Sequence, residues 1–207
     1  MTVHHLLRLT PEGATASPRL THKALMRSLA HVRLNPDAPR ADAALTFVRD
    51  GNLLDIYTRD GLSLAAPWQF GTVESAEPLT IPAGSVRFTV DVACQYRPAP
   101  PGCVDGHVTR PNGVRPVGKL MPVPDERLDT WATELLGRKG VAGTDIRVER
   151  VTDLRLDGST RNRRASIPVV RISGTAPGAQ LAAVIADGGI GRGRNFGLGH
   201  IILNPNQ

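Results

Sequence analysis

The stretch PGAQLAAVIADGGIGRGRNFGLGHIILN, residues 177–204, contains the pattern that decides the fold. Its first part predicts a short helix over Pro177–Ala186 with its apolar residues on one face. Gly188 stands where a helix commonly ends, because glycine adopts the left-handed conformation of the capping turn at little cost. A glycine-rich loop follows, and residues 199–204 predict a closing strand. The chain therefore ends on a helix, a glycine loop and a strand.

Hydrophobic periodicity predicts the elements that precede this stretch. VRFTVDVACQY, residues 86–96, alternates as a half-buried strand does, and residues 125–136 have helical spacing. Strands are predicted over 145–156 and 167–174, and a long loop over the proline-rich residues 97–118. The second half of the chain therefore has the order β-α-β-β-α-β, which is that of the ferredoxin-like or RRM-like unit.

The residue pattern in the first half of the chain indicates the beginning of another unit of this kind. Residues 3–10 are predicted as a strand, 20–32 as a helix, and ALTFV and LLDIYT as a hairpin around an Asp-Gly turn. Residues 61–85 are rich in proline and glycine and are predicted to be irregular. The most economical fold is α+β, with two tandem ferredoxin-like domains over residues 1–80 and 81–207.

The bulk composition favours a globular protein with an anionic partner. The 207 residues are 41% hydrophobic, and the chain has a net charge of +6 and a pI near 10.1, which points first to nucleic acid. No run approaches the ~18 apolar residues of a membrane span, and Arg8 interrupts what would be a signal peptide. We therefore expect a cytoplasmic protein with no membrane contact. Cys94 and Cys103 match no metal spacing, and a disulfide between them stays open.

The glycine loop is the most informative motif for function. Gly188 and Gly193 have the separation found in a Walker A loop, but Arg194 and Asn195 stand where Lys and Ser or Thr are required. A helix also precedes this loop and a strand follows it, which is the reverse of the phosphate-loop order. Two hypotheses remain: a tight turn packed on a sheet, or a loop that offers amides and arginines to RNA phosphates. The regular glycine spacing with arginines between favours the second.

The pattern Gly-Ile-Gly, five residues, Gly-Leu-Gly resembles the C-terminal signature of the RAMP superfamily of CRISPR-associated proteins. Three further stretches narrow the resemblance to the type I-E repeat-processing endoribonucleases, the CasE family. RLTHKALMRSL, residues 19–29, is similar to that family's first helix. FTVDVACQYRP with GKLMPVPDERLDTWATELLGRKG resembles the opening of its second domain, and RVERVTDLRLDGSTRNRRASIPVVRISGTA resembles its basic hairpin. Together these stretches cover most of the chain.

The resemblance implies two ferredoxin-like domains and an endoribonuclease that needs neither metal nor cofactor. Such an enzyme cuts CRISPR precursor RNA at the base of the repeat stem-loop. The 2′-hydroxyl of the RNA attacks the adjacent phosphate and leaves a 2′,3′-cyclic phosphate and a 5′-hydroxyl. The enzyme then stays on the mature guide RNA within Cascade, so its implied partners are the repeat RNA and the other type I-E Cascade subunits.

His22 stands at the catalytic position that the resemblance implies, as general acid or base. From the residues alone it shares a helical face with Leu25, Met26 and Leu29, which also fits a histidine at the edge of the core. Arg19 stands where the family often has tyrosine. Arginine can stabilise a phosphorane but stays protonated, so it cannot move a proton. A second hypothesis therefore stays open: a non-catalytic RNA-binding subunit of the same superfamily that holds guide RNA.

Basic residues outside the catalytic position are predicted to contact RNA. Four arginines crowd one hairpin around residues 155–164, where like charges repel each other unless an anion or solvent screens them. Aromatic residues are only 4% of the chain, so we expect the hairpin to recognise shape and phosphates rather than to stack bases. Lys23 and Arg27 equally fit a solvated helix face. The full set of predicted RNA contacts is Lys23, Arg27, Lys119, Arg155, Arg161, Arg163, Arg164, Gly189, Gly191, Arg192, Arg194, Gly197 and Gly199.

Overall fold

The computed structural model describes ten parts of the chain, which together form a mixed α and β structure with two four-stranded sheets. The described residues are 4–11, 21, 25, 44–50, 53–59, 71–96, 107–110, 113–116, 120–156 and 165–204. The strands in chain order are β1 (His4–Pro11), β2 (Thr46–Asp50), β3 (Leu53–Arg59), β4 (Gly71–Leu79), β5 (Ser85–Ala93), β6 (Gln95–Tyr96), β7 (His107–Arg110), β8 (Gly113–Pro116), β9 (Met121–Pro122), β10 (Thr144–Arg150), β11 (Leu154–Leu156), β12 (Ala165–Ile167), β13 (Val169–Pro177) and β14 (Ile201–Asn204). The helices whose bounds the structure describes are α1 (Leu128–Gly137) and α2 (Gly178–Ala186), with 3₁₀ turns at Asp125–Arg127 and Arg194–Phe196.

The two sheets have the same strand order. The first runs β2-β3-β1-β4 and the second β10-β13-β5-β14, and every neighbouring pair is antiparallel. In each sheet the first and third strands lie in the centre, and the second and fourth strands lie at the edges. The elements β5, α1, β10, β13, α2 and β14 follow one another in the predicted order.

The strand β4 corrects the prediction that residues 61–85 are irregular. Residues 71–79 pair antiparallel with β1, from His4 opposite Leu79 to Pro11 opposite Gly71, with one shift in register between Arg8 and Leu9. The sequence gives no alternation there because β4 lies at a sheet edge, and most of its described side chains are exposed. An edge strand also tolerates Pro78, whose missing amide hydrogen would weaken a central strand.

Two predictions in the second half are also corrected. The proline-rich residues 97–118, predicted as one long loop, include the hairpin of β7 and β8. The single strand predicted over 145–156 divides into β10 and β11, because β11 leaves the main sheet to pair with β12. Most of the helix predicted over 20–32 lies outside the described residues. Thr21 and Leu25 are the two residues of this range that the structure describes, and both are helical and buried.

Both described helices pack on one face of the second sheet. The core contains alternate residues of β5 and β13 together with the inner faces of α1 and α2. Among the described residues, no helix is both long enough and apolar enough to cross a membrane. The opposite face of this sheet carries mainly polar side chains. Core side chains from these four elements include Val86, Phe88, Val90, Val92, Val170, Ile172, Trp131, Leu136, Leu181, Val184 and Ile185.

A buried histidine joins the last strand to the first sheet. The Nδ1 atom of His200 lies 3.1 Å from the hydroxyl of Thr46, and its ring lies 4.0 Å from the ring of Tyr57. Burial lowers the pKa of His200 to about 3, against a smaller opposing effect of Asp55, and burial raises the pKa of Tyr57 to about 12. Both side chains are therefore neutral over the physiological range, as a closely packed junction requires.

This junction predicts an acid-sensitive fold. The unfolded chain binds a proton at His200 below about pH 6.5, whereas the folded chain does not until about pH 3. The free energy of unfolding should therefore fall by about 1.4 kcal/mol per pH unit as pH decreases through this window. His200→Gln keeps a polar partner for Thr46 but cannot titrate, so urea unfolding of this variant should show a shallower pH dependence. Identical pH profiles of wild type and variant would contradict the assignment.

Candidate nucleic-acid interface

Two consecutive glycines end α2 and begin the glycine loop, residues 188–199. The amide of Gly188 donates to the carbonyl of Ile185 at 3.0 Å, and the amide of Gly189 donates to that of Val184 at 2.9 Å. This pair of bonds is a Schellman motif, which needs a positive φ at Gly188, here 74°, and Gly189 is also left-handed at 84°. The helix therefore stops at a fixed residue, and the loop leaves it in a fixed direction.

The two ends of the loop cross in direct backbone contact. The amide of Ile190 donates to the carbonyl of Gly199 at 3.0 Å, and the amide of Gly199 donates to Asp91 on β5 at 2.7 Å. A Cβ added to Gly189 would lie 2.2 Å from the Gly199 oxygen, and one added to Gly199 would lie 2.1 Å from the Ile190 oxygen. These two glycines are therefore explained by packing, as the tight-turn hypothesis expects.

The middle of the loop is more open. Gly193 and Gly197 both have left-handed backbones and flank the 3₁₀ turn Arg194–Phe196. Arg192 is exposed, and the backbone amides of Gly191, Arg192 and Gly193 donate to no backbone carbonyl among the residues that the structure describes. The exposed guanidinium of Arg192 therefore lies in the same segment as three amides that no described backbone carbonyl accepts from, and these are the two kinds of donor that the RNA hypothesis requires.

Arg194 makes hydrogen bonds within the protein that stabilise this loop. Its Nη1 donates to the carbonyls of Asp187 and Gly188 at 3.2 and 3.1 Å, at the C-terminus of α2. A cation there also opposes the partial negative charge of the helix end. The side chain of Asp187 pairs with Lys139, which follows α1. Arg194 therefore fixes the shape of the loop, while the exposed Arg192 is the better placed of the two arginines to meet a phosphate.

The glycine loop shares one hydrophobic cluster with the arginine hairpin, the segment around residues 155–164 whose described arms are β11 and β12. Leu198 of the loop is buried against Ala93 and Val169, and Leu154 and Ile167 from the two arms of the hairpin pack on the same cluster. Arg155 is exposed on β11, opposite Ser166 in the strand register. The glycine loop and the described base of the arginine hairpin are therefore adjacent at the end of β5.

A cation on an aromatic ring lies near this end of β5 and was not predicted from the sequence. The guanidinium of Arg127 lies 5.6 Å from the centre of the Tyr96 ring on β6. The neighbouring Arg150 donates to the carboxylate of Asp125 at 2.7 Å and to the carbonyl of Val123 at 2.8 Å. Arg150 therefore fixes the start of the helical segment, whereas Arg127 stays exposed. Neither role has a sequence signal, since both depend on contacts between distant segments.

Several predicted site residues lie outside the described residues. They are Arg19, His22, Lys23, Arg27, Lys119, Arg161, Arg163 and Arg164. Among the residues that are described, no three His, Cys, Asp or Glu side chains are grouped as metal ligands would be. Cys94 is buried and free of a disulfide.

Comparison with known proteins places this fold among CRISPR-associated structures. No protein-family model matches the chain, and no curated protein matches it in sequence. The crystal structure of the CRISPR-associated protein Cas6e from Escherichia coli K-12 is similar at a TM-score of 0.64, with 13% identity over 98% of this chain and 100% of that one. Thermus thermophilus Cse3, bound to an RNA that represents a pre-cleavage complex, gives 0.61 and 17% over the same shares. A chain of a CRISPR RNA-guided surveillance complex gives 0.56 and 18%, again over 98% and 100%. At these identities the likeness establishes the fold.

Because of the backbone crossing, we expect alanine to destabilise the protein much more at one glycine than at another of similar φ. Gly140→Ala meets no atom within 4 Å, so only its φ of 72° opposes the change, and we expect a loss of about 1 kcal/mol in the free energy of unfolding. Gly199→Ala, at φ 77°, must also displace the Ile190 carbonyl, and we expect a loss of about 3 kcal/mol or more. Chemical unfolding of both variants measures the difference, and equal losses would show that the crossing is not tightly packed.

Proposed function

We propose that this chain is a CRISPR endoribonuclease that cuts precursor RNA at the base of the repeat stem-loop and keeps the product. The observation that carries the proposal is the surface where the glycine loop and the arginine hairpin meet through Leu198. A fold shared along nearly the whole chain with Cas6e and Cse3 supports it. The four-stranded sheets are, in this proposal, the centres of two tandem ferredoxin-like domains over residues 1–80 and 81–207.

The surface offers RNA two kinds of contact. Exposed Arg192 and Arg155 supply guanidinium groups, and the amides of Gly191 to Gly193 supply fixed donors for phosphate oxygens. We expect the hairpin arginines Arg161, Arg163 and Arg164 to extend this surface along the stem. A-form RNA offers shape and phosphates more readily than base edges, so sequence choice would come from unpaired bases near the cut.

His22 is the proposed general acid or base, and Arg19 the proposed cation for the phosphorane. The reaction needs a base for the 2′-hydroxyl, an acid for the leaving oxygen and a donor for the developing charge. In this proposal the products are a 2′,3′-cyclic phosphate and a 5′-hydroxyl, with no metal or cofactor. Retention of the product would place the chain in the cytoplasm with other type I-E Cascade subunits.

A second function is favoured by one residue. Arg19 stands where the CasE family often has a tyrosine, and an arginine cannot transfer a proton. A chain that lacks one proton-transfer group would hold guide RNA without cutting it. The two functions differ in a single observation, which is whether bound repeat RNA is cleaved.

The deciding experiment uses the purified chain, the repeat RNA of its host and excess EDTA. The first function predicts a cut at the stem base with a 2′,3′-cyclic phosphate end, slowed about 10²–10⁴-fold in His22→Ala with binding retained. His22→Asn serves as a control of similar size that also cannot act as a base. Tight binding with no cleavage by any of the three proteins would favour the second function, and the absence of binding would contradict both.

The two loop arginines predict different binding defects. Arg192→Ala should weaken binding and make the slope of log affinity against log salt shallower by about 0.7–0.9, because one phosphate contact is lost. Arg194→Ala should destabilise the loop and weaken binding with little change in slope, because its guanidinium bonds the end of α2. Binding titrations between 50 and 200 mM salt measure both slopes, and a slope change in Arg194→Ala alone would reverse the assignment.

A further inference from the structure

The second sheet has an open polar face on the side opposite the helices. A groove of about 820 Å³ crosses this face from β10 to β14, away from the glycine loop. The register places Arg87 beside Thr175 and Asn204, and Thr89 beside Ser173. The next strand adds Arg147 beside Ser173. The groove is therefore lined by hydroxyls and an amide, with an arginine toward each side.

The two arginines of this groove are available to a ligand. Arg87 and Arg147 are exposed, and neither makes an ion pair with any residue that the structure describes. The neighbouring Arg171 is different, because its Nε and Nη2 donate to the two carboxylate oxygens of Asp91 at 2.8 and 3.0 Å. Arg171 is therefore engaged with Asp91, whereas the guanidinium groups of Arg87 and Arg147 have no carboxylate partner among the described residues.

A bulge in β10 adds one carboxylate to the groove. The register with β13 shifts between Thr144 and Arg147, and Asp145 within the shift has a φ of 52°. The bulged strand lies tightly over Gly174, since a Cβ there would lie 2.5 Å from Cδ1 of Ile146 and 2.9 Å from the Thr144 oxygen. Bulges commonly redirect a side chain toward a functional site. Here the bulge places Asp145 in the lining beside the two arginines.

This set of groups selects a ligand with both anionic and hydroxyl oxygens. Guanidinium groups bind phosphate, whereas a carboxylate repels phosphate and accepts a hydrogen bond from a hydroxyl. The volume suits one or two nucleotides, not a double helix. Phe88 is buried in the core, so its ring offers no surface for base stacking. We propose that the groove binds the ribose-phosphate backbone of single-stranded RNA that flanks the repeat stem.

A protein partner fits this face less well. Protein interfaces concentrate aromatic, methionine and other large apolar anchors in their centres. On this face the one exposed large hydrophobic side chain among the described residues is Ile202, at the β14 edge.

The distance to the proposed stem surface is also suitable, since Thr89 and Ala93 on β5 are separated by about 13 Å of extended strand. A flank leaving the stem surface could therefore reach the groove.

The inference rests on the proposed function as an RNA-binding protein, and its test separates the two. Fluorescence anisotropy compares the repeat stem-loop alone with the same RNA carrying an eight-nucleotide single-stranded extension at either end, between 50 and 200 mM salt. For the wild type, one of the extensions should tighten binding and steepen the salt slope by about 1.4, as expected for two single-strand phosphate contacts. The double variant Arg87→Ala/Arg147→Ala should lose this increment and bind the bare stem-loop normally.

Two controls identify the contacts. Arg87→Lys/Arg147→Lys keeps both charges and should retain most of the increment in slope. The same extension made of deoxyribonucleotides should bind more weakly, and Asp145→Asn should narrow that preference for RNA because a neutral amide oxygen accepts from the 2′-hydroxyl more weakly than a carboxylate does.

Three results would overturn the inference. They are no increment from either extension in the wild type, an unchanged increment in the double alanine variant, or equal binding of ribose and deoxyribose extensions. If the double alanine variant keeps the gain in RNA affinity from the extension but no longer binds purified Cascade subunits that the wild type binds, the groove would be assigned to a protein partner instead. Failure of the wild type to bind the bare stem-loop would instead contradict the proposed function, and an isolated eight-nucleotide RNA then tests the groove directly.

Discussion

The backbone contact between Gly189 and Gly199 is the constraint on which the rest of the structure depends. At this crossing the end of α2, the start of β14 and the carbonyl of Asp91 on β5 are joined by hydrogen bonds that leave no space for a side chain. The residue after the crossing, His200, packs between Thr46 and Tyr57 of the first sheet. The glycine loop and the residue that follows it therefore contact both sheets.

The same loop relates the fold to the proposed function. The two hypotheses for the glycines, a packed turn and an RNA-binding loop, apply to different parts of it. Gly189 and Gly199 are needed for packing, and Arg194 holds the loop against the helix end. This leaves Arg192 and the amides around it in the open part, next to the base of the arginine hairpin. A rigid base that carries exposed donors suits the recognition of a phosphate backbone, because little ordering is required when the RNA binds.

Elements with strong local patterns were predictable from the sequence. The alternation of residues 86–96 corresponds to β5 and β6, and the two apolar stretches ALTFV and LLDIYT correspond to the paired strands β2 and β3. The strand β4 was not predictable, because its exposed residues and Pro78 reflect an edge position that only the pairing with β1 reveals.

The features of the candidate site also differ in whether they could be predicted from the sequence. The glycine spacing was visible in the sequence. The burial of His200, the capping by Arg194 and the contact of Arg127 with Tyr96 depend on residues distant in the chain. The catalytic assignment of His22 stays a prediction, since it lies outside the described residues.

The most direct test of the account is NMR-detected amide hydrogen exchange with and without the repeat stem-loop. In the free protein the amides of Ile190 and Gly199 should already exchange slowly, because both are bonded at the crossing, while those of Gly191, Arg192 and Gly193 exchange quickly. RNA should slow these three amides and those near Arg155 together. RNA binding that leaves all of them unchanged would show that the glycine loop is only a structural joint and that RNA is held elsewhere.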